Sequence, residues 1–186
     1  MADHDTGVSL VATRVLLRTP RLSMAPQLFA YLTANDERFA PIGPKRNEPL
    51  SMEEAKRSIE NSSRDYEEGK SVRFFVFLEG NDAIIGDISL TNIVRGVFRA
   101  CHLGYGIDGA YEGKGYMREA LSCVLRYAFD ELKMHRVMAN YIPTNERSGA
   151  LLRRLGFSVE GYARDYLFLN GEWKDHVLTS LIEQER

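Results

Sequence analysis

Two clusters of small and polar residues set the chemistry open to this sequence. Gly104-Tyr-Gly106-Ile-Asp-Gly109 matches the pattern GxGxxG, and Gly109-Ala-Tyr-Glu-Gly113-Lys114-Gly115 looks like a shortened phosphate loop. A dinucleotide fingerprint needs a helix to open at once, but here no helix can start before Gly115, after the chain has turned through 108–113. A nucleoside-triphosphate loop needs Ser or Thr after its lysine to hold magnesium, and this loop is one residue short with Gly115 in that place. What both patterns share survives: Gly113, Lys114 and Gly115 lead into a helix N-terminus, whose free N–H groups and dipole attract a pyrophosphate without any metal. The same glycines would equally serve a bare strand-to-helix turn. The second cluster is Asn145-Glu-Arg-Ser148, with Asn and Ser at i, i+3 on one helix face. They would either point together into a cleft or only satisfy the helix N-terminus.

Both clusters need elements to position them. Met117, Ala120, Leu121, Val124, Leu125, Ala128 and Leu132 recur at helical spacing, so an amphipathic helix follows the glycines, with Arg118, Glu119, Ser122 and Arg126 facing outward. Ahead of them, residues 72–78, 83–93 and 98–107 read as an antiparallel meander broken at Glu79-Gly80-Asn81-Asp82 and Arg95-Gly96. Behind them come a strand at 136–142, a short helix at 145–155 closed by Gly156, and strands at 157–169 and 173–182 joined by Asn170-Gly171. The N-terminal third gives a frayed polar start of ten or so residues, a strand at 15–22 and a helix opened by Pro26. A proline-rich loop at 40–49 and a helix with Ser51 as N-cap and Glu54 as its capping-box partner, running to about Glu68, complete it. The order β-α-α-β-β-β-α-β-α-β-β gives an α/β (α+β) fold: one mixed, mainly antiparallel sheet of about seven strands with about four helices. The strands flanking the long helix are parallel, because a crossover connects them.

Composition bounds the rest. The 186 residues, 44% hydrophobic and 27% charged, suit a single domain with an ordinary core, and exclude disordered and collagen-like chains. Lys+Arg at 24 against Asp+Glu at 26 argues against a broad nucleic-acid footprint. Cys101 and Cys123 have no metal-ligand spacing and read as buried thiols, so no metal is expected. No apolar run approaches the ~20 residues of a membrane span, and the N-terminus lacks the pattern of a signal peptide, so a cytoplasmic protein is expected.

Glu112-Gly113-Lys114-Gly115-Tyr116-Met117, between a meander and an amphipathic helix, followed by Asn140, Asn145-Glu146-Arg147-Ser148 and Leu155-Gly156-Phe157, resembles the GCN5-related N-acetyltransferase (GNAT) family. Asn92-Ile93-Val94-Arg95-Gly96, the segment 134–141, Arg147-Ser148-Gly149, Glu160-Gly161-Tyr162-Ala163 and Trp173-Lys174-Asp175-His176-Val177-Leu178 are similar to the RimJ/RimL branch of ribosomal-protein N-terminal acetyltransferases. The likeness covers essentially the whole chain. The family's pyrophosphate motif usually begins with Gln or Arg and ends with Gly or Ala; Glu112 and Met117 depart from it, and Glu112 is expected to turn outward.

The resemblance implies acetyl-CoA as cosubstrate, held by Gly113, Lys114, Gly115, Tyr116 and Met117 at its pyrophosphate and by Asn140, Asn145 and Ser148 further along. It also implies that the third meander strand splays from the strand after the long helix, freeing backbone amides of Leu103, Gly104 and Tyr105 for the thioester. Ser148 would bond the leaving sulfur, because relatives use a tyrosine further along this helix where the present chain has Leu152. His102, on the strand facing the acceptor, would be the base, with Glu160 and Asp165 as competitors and bulk water as the remaining alternative. His135 and His176 match family residues without an assigned role. The implied acceptor is the N-terminal α-amine of a protein, a terminal alanine of a small-subunit ribosomal protein, met free or on the assembling subunit. That choice suits the chemistry: roughly 10–20% of an α-amine is neutral at pH 7 against about 0.04% of lysine. The acidic residues of the 51–68 helix would suit a basic tail, or form a plain solvated face. A small-amine acetyltransferase and a non-catalytic CoA-binding ribosome-assembly factor are the alternatives.

Overall fold

In the computed structural model, which describes residues 7–41 and 49–183, the architecture is set by β3 (Val72–Leu78). Phe74 and Phe75 are chain neighbours and both fully buried, each in a different apolar cluster. Successive strand side chains point to opposite faces, so a strand apolar at consecutive positions must be covered on both. On one face lie α4 (Tyr116–Asp130) and α5 (Glu146–Arg154), whose Leu121, Val124 and Leu152 meet Ile88, Leu90 and Leu103. On the other lie α1 (Ala25–Ala34) and α3 (Met52–Glu67), whose Leu28, Ala55 and Ile59 meet Phe75 and Phe77. The Ser51 hydroxyl caps α3 by accepting from the Glu54 N–H, as the sequence pattern requires.

β1 (Ser9–Val11), β2 (Val15–Arg18), β3, β4 (Gly86–Val94), β5 (Ala100–Ile107), β6 (Arg136–Tyr141), β7 (Ser158–Leu169) and β8 (Glu172–Ile182) form one sheet in the order β1-β2-β3-β4-β5-β6-β8-β7. Only β5 and β6 are parallel, joined through α4. Their register runs Ala100↔Arg136, Cys101↔Val137 and His102↔Met138, and stops there although both strands continue. Beyond that point the backbone groups of residues 103–105 that point toward β6 have no strand partner, and the sheet opens into a V.

Three expectations need correction. The sheet has eight strands among the described residues, because a three-residue β1, too short to show alternation, pairs with β2 where a frayed start was expected. The strand expected at 15–22 ends at Arg18, and residues Leu22–Met24 form a 3₁₀ turn into α1. A one-turn helix, α2 (Asp36–Phe39), follows α1 in a stretch for which no element was expected, bringing the helices among the described residues to five. Most of the 40–49 loop and the first six residues lie outside the described residues. Cys101 and Cys123 are buried free thiols.

Candidate active site

The loop between β5 and α4 is built around two left-handed residues, Gly113 at φ +72° and Gly115 at φ +83°. Space does not dictate glycine at 113, where an added Cβ would meet nothing within 4 Å; the backbone angle does. Arg14 holds the loop from below. Its Nε meets Glu119 Oε2 at 2.9 Å, its Nη1 donates to the Lys114 carbonyl at 3.2 Å, and its guanidinium lies 4.8 Å from the centre of the Tyr116 ring. Gly115 is the N-cap of α4 and supplies no side chain to bond the first turn, so the terminal N–H groups stay open to a ligand.

These groups border a cleft of about 1050 Å³ whose other walls are the end of β5, the start of α5 and the tip of α2. Arg38, Arg118, Arg147 and Arg154 line it, against one carboxylate, Glu112. Glu112 does not turn outward as expected. It bridges Arg38 and Arg147, the latter at 2.5 Å, because a carboxylate among four guanidinium groups is drawn to them rather than to water. Arg38 escaped the sequence reading, since α2 carries no motif. Buried Asn35 fixes that corner: its Nδ2 donates to the Tyr31 carbonyl and to Asp108 Oδ2 at 2.9 Å, and its Oδ1 accepts from the Gly109 N–H. Met117, larger than the usual family residue, finds its room in the core: its Cε lies 3.1 Å from where a side chain on Gly86 would begin.

At the inner end of the cleft, Tyr105 from β5 and Ser148 from α5 meet, Oη to Oγ at 2.8 Å. Burial pushes the Tyr105 phenol up to about 12, so it keeps its proton, and either hydroxyl of the pair can donate to the other. The sequence reading used Tyr105 for its backbone alone; the hydroxyl pair stayed hidden because its partners are 43 residues apart. Asn145 is the cap of α5, its Oδ1 accepting the Ser148 backbone N–H at 3.2 Å. The Ser148 hydroxyl itself does no capping.

Faces separate the remaining residues. Cys101 and Leu103 of β5, and Val137 and Ala139 of β6, belong to the core under α4 and α5, so His102, Gly104, Met138 and Asn140 project to the opposite face. A Cβ added to Gly104 would meet nothing within 4 Å, so that face is open beside the V. His102 stands next to this opening; its Nδ1 is buried with no partner among the described residues, and burial lowers its pKa, so the ring is neutral at neutral pH. Asn140 is not in the cleft: its amide donates to the Tyr166 hydroxyl at 3.1 Å on the open face. Lys114 also turns away from the cleft, donating to the Ala110 carbonyl at 2.8 Å above the Tyr111 ring, because its long stem folds back over the turn. Leu103 contributes its side chain to the core. Glu160 is exposed and bonded to Arg136 at 2.5 Å, which keeps its carboxyl below the usual range and makes it a poor base. Asp165 lies in an exposed strand distortion, its own N–H bonded to Asp175. In α3, Glu53 pairs with Lys56 and Glu54 with Arg57, as on a solvated face. Among the described residues no group of three or more His, Cys, Asp or Glu side chains is placed to hold a metal, and no helix is long and apolar enough to cross a membrane.

A basic cleft ending on an uncapped helix N-terminus, with hydroxyls at its inner end, fits a phosphate-rich acyl carrier. Comparison with known proteins agrees. Residues 14–158 match the model of the acetyltransferase (GNAT) domain. The chain is 41% identical over 177 residues to the [ribosomal protein uS5]-alanine N-acetyltransferase of Escherichia coli, covering 94% of this chain and 90% of the relative. It is 34% identical over 149 residues to a probable N-acetyltransferase, YjcK, of Bacillus subtilis, covering 80% and 81%. Among solved structures, the ribosomal-protein-S5-alanine acetyltransferase of Vibrio fischeri superimposes with a TM-score of 0.90 at 36% identity over 96% of this chain and 98% of that one. Mycobacterium smegmatis RimJ, solved in complex with CoA-disulfide, gives 0.87 at 25% identity over 96% and 87%. The chain belongs to the GCN5-related N-acetyltransferase family and is an acetyl-CoA-dependent N-acetyltransferase.

Proposed function

We propose that this enzyme acetylates the N-terminal α-amine of a protein, and that its acceptor is the terminal alanine of a small-subunit ribosomal protein. One observation carries the chemistry: a phosphate-compatible cleft and a neutral histidine lie on opposite faces of the same V-shaped break in the sheet. A carbonyl held in the break is reached from one side by its carrier and from the other by a nucleophile, as direct attack requires. The choice of a ribosomal acceptor rests on the relatives, two of which are named for S5 (uS5) alanine.

In this reading the α4 N-terminus, the Gly113 and Gly115 backbone and the cleft arginines bind the phosphates, while the unpaired backbone of residues 103–105 polarises the acetyl carbonyl. His102 accepts the proton that the amine nitrogen sheds as its bond to the carbonyl carbon forms. Ser148 donates a hydrogen bond to the sulfur as the carbon–sulfur bond breaks, and the departing thiolate takes its proton from solvent. His102 returns its proton to solvent, so the balance is an amide and a thiol.

The test is mass spectrometry of peptides incubated with acetyl-CoA. A peptide beginning with free alanine gains one acetyl group at its terminus, whereas the same peptide with a blocked terminus and internal lysines does not. Equal turnover of the blocked peptide, or of free polyamines, would reject the N-terminal reading in favour of a lysine or small-amine acceptor. CoA binding without any acetylated product would favour a non-catalytic assembly factor.

A further inference from the structure

The Trp173-Lys174-Asp175-His176 stretch has no part in the chemistry above, yet the structure builds an elaborate local distortion around it. β7 and β8 pair regularly at Ala163↔His176 and again at Leu167↔Lys174, so three residues of β7, Arg164 to Tyr166, stand against the single Asp175 of β8. Bulges of this kind re-aim a side chain. Asp165 adopts φ +46°, a left-handed backbone that non-glycine residues adopt rarely and that Asp tolerates better than most. Asp175 holds it there, its Oδ1 accepting the Asp165 N–H at 2.9 Å and its Oδ2 accepting the Tyr162 hydroxyl at 2.5 Å.

The product of the distortion is the position of Tyr166. Its ring lies 5.4 Å, centre to centre, from that of buried His176, whose Nδ1 is tied to the Lys174 carbonyl at 3.0 Å. Its hydroxyl accepts from the Asn140 amide at 3.1 Å. Asn140 stands two residues beyond the last β5–β6 pair, on the open face of the V, opposite the cleft. The tip of the same hairpin is tied across that face, Asn170 donating to the carbonyl of Ala40 after α2.

We infer that Tyr166, aimed by the Asp175 bulge and backed by His176, is a positioning residue that selects α-amine acceptors by donating a hydrogen bond to the first peptide carbonyl. The inference rests on the acceptor face proposed above. One lone pair of the phenol oxygen is filled by Asn140, which leaves the phenol proton for a substrate acceptor. In a peptide N-terminus the first carbonyl carbon lies two bonds from the amine nitrogen and its oxygen three, within the same short reach. A lysine side chain offers no such oxygen beside its amine. A hydroxyl fixed at the mouth of the V thus reads the acceptor's class.

The experiment compares wild type with Tyr166→Phe, using acetyl-CoA with a free-alanine peptide and with its analogue in which the first amide is a thioamide, whose sulfur accepts hydrogen bonds weakly while an uncharged electron-withdrawing group stays beside the amine. The wild type should prefer the true peptide by about tenfold in kcat/KM, the worth of one neutral hydrogen bond. Tyr166→Phe should lose that preference, with KM for acetyl-CoA and Tm unchanged because the ring and its packing remain. Asp175→Ala, which frees the bulge without touching the hydroxyl, should reduce the preference as well. An undiminished preference in Tyr166→Phe, or a parallel rise in KM for acetyl-CoA, overturns the positioning role while wild-type turnover leaves the α-amine reading standing. Absence of wild-type turnover of the free-alanine peptide overturns both.

Discussion

Replacing Tyr105 by Phe and Ser148 by Ala, singly and together, tests whether the two hydroxyls act as a unit in expelling the thiolate. They sit 2.8 Å apart at the inner end of the cleft, and the phenol, pushed up to about 12 by burial, is protonated at neutral pH. Ser148→Ala removes the group proposed to bond the sulfur, an interaction strengthened in the transition state, so kcat should fall by about tenfold to a hundredfold. Tyr105→Phe removes a neutral hydrogen bond worth about 1–1.5 kcal/mol, roughly a fivefold to tenfold loss in kcat. Once Ser148 is gone, the phenol has nothing to polarise, so the double variant should match Ser148→Ala, with a coupling energy of about 1 kcal/mol. Steady-state kcat at saturating acetyl-CoA gives the cycle, and thermal denaturation controls for stability. The helix cap is no confounder, since Asn145 bonds the backbone N–H of Ser148 and not its hydroxyl. Strictly additive losses, or a lowered Tm with kcat intact, would refute the coupled pair.

Gly115→Asp should weaken CoA binding by well over tenfold in calorimetry, because it sets a side chain and a negative charge on a left-handed residue at the open end of α4; unchanged affinity in a folded variant would remove the phosphate site. His102 should give kcat/KM an acid limb below the ordinary imidazole value of about 6.5, since burial disfavours its charged form and activity falls only as pH drops through the depressed value. His102→Gln should abolish that limb and leave the acceptor's own amine to shape the profile; a retained limb would show another base or solvent at work. Gly149→Ala should cost about 1–3 kcal/mol, read as a fall in Tm, because its Cβ would stand 2.7 Å from the Tyr141 ring; an unchanged Tm would mean that the α5–β6 contact yields freely.

Long periodic elements were legible in the sequence because each declares itself locally. The apolar stripe of α4 and the Ser51–Glu54 cap of α3 are one-dimensional signals, and the parallel β5–β6 pair follows from the length of its connection. The left-handed turn ahead of α4 was legible for the same reason, as glycines at a strand-to-helix junction. Groups that meet through the fold alone were not legible. Arg38 reaches the cleft from a one-turn helix 74 residues from its partner Glu112, and Tyr105 reaches Ser148 across the break in the sheet. Asn140 was assigned to the cleft, but strand alternation sends it to the other face once Val137 and Ala139 are fixed in the core. That assignment needed the register, which sequence spacing does not supply.

The acid at position 112 shows how topology and sequence divide the work. The crossover through α4 places a helix N-terminus beside the end of β5, and that alone makes the cleft attract an anion. A carboxylate at its rim would oppose the phosphates if it stood alone. Here it is spread over two guanidinium groups, Arg38 and Arg147, in pairs whose side chains remain partly exposed. Such pairs contribute only about 0–1 kcal/mol each, so a phosphate can compete for the same arginines without breaking a strong bond. Glu112 therefore costs the site little charge and gives it order: it holds two mobile arginines facing the cleft, one from each side. The family's usual Gln or Arg would leave Arg38 and Arg147 without that common partner. An acid is tolerated at the rim of this basic cleft because the surrounding cations outnumber it and are oriented by it.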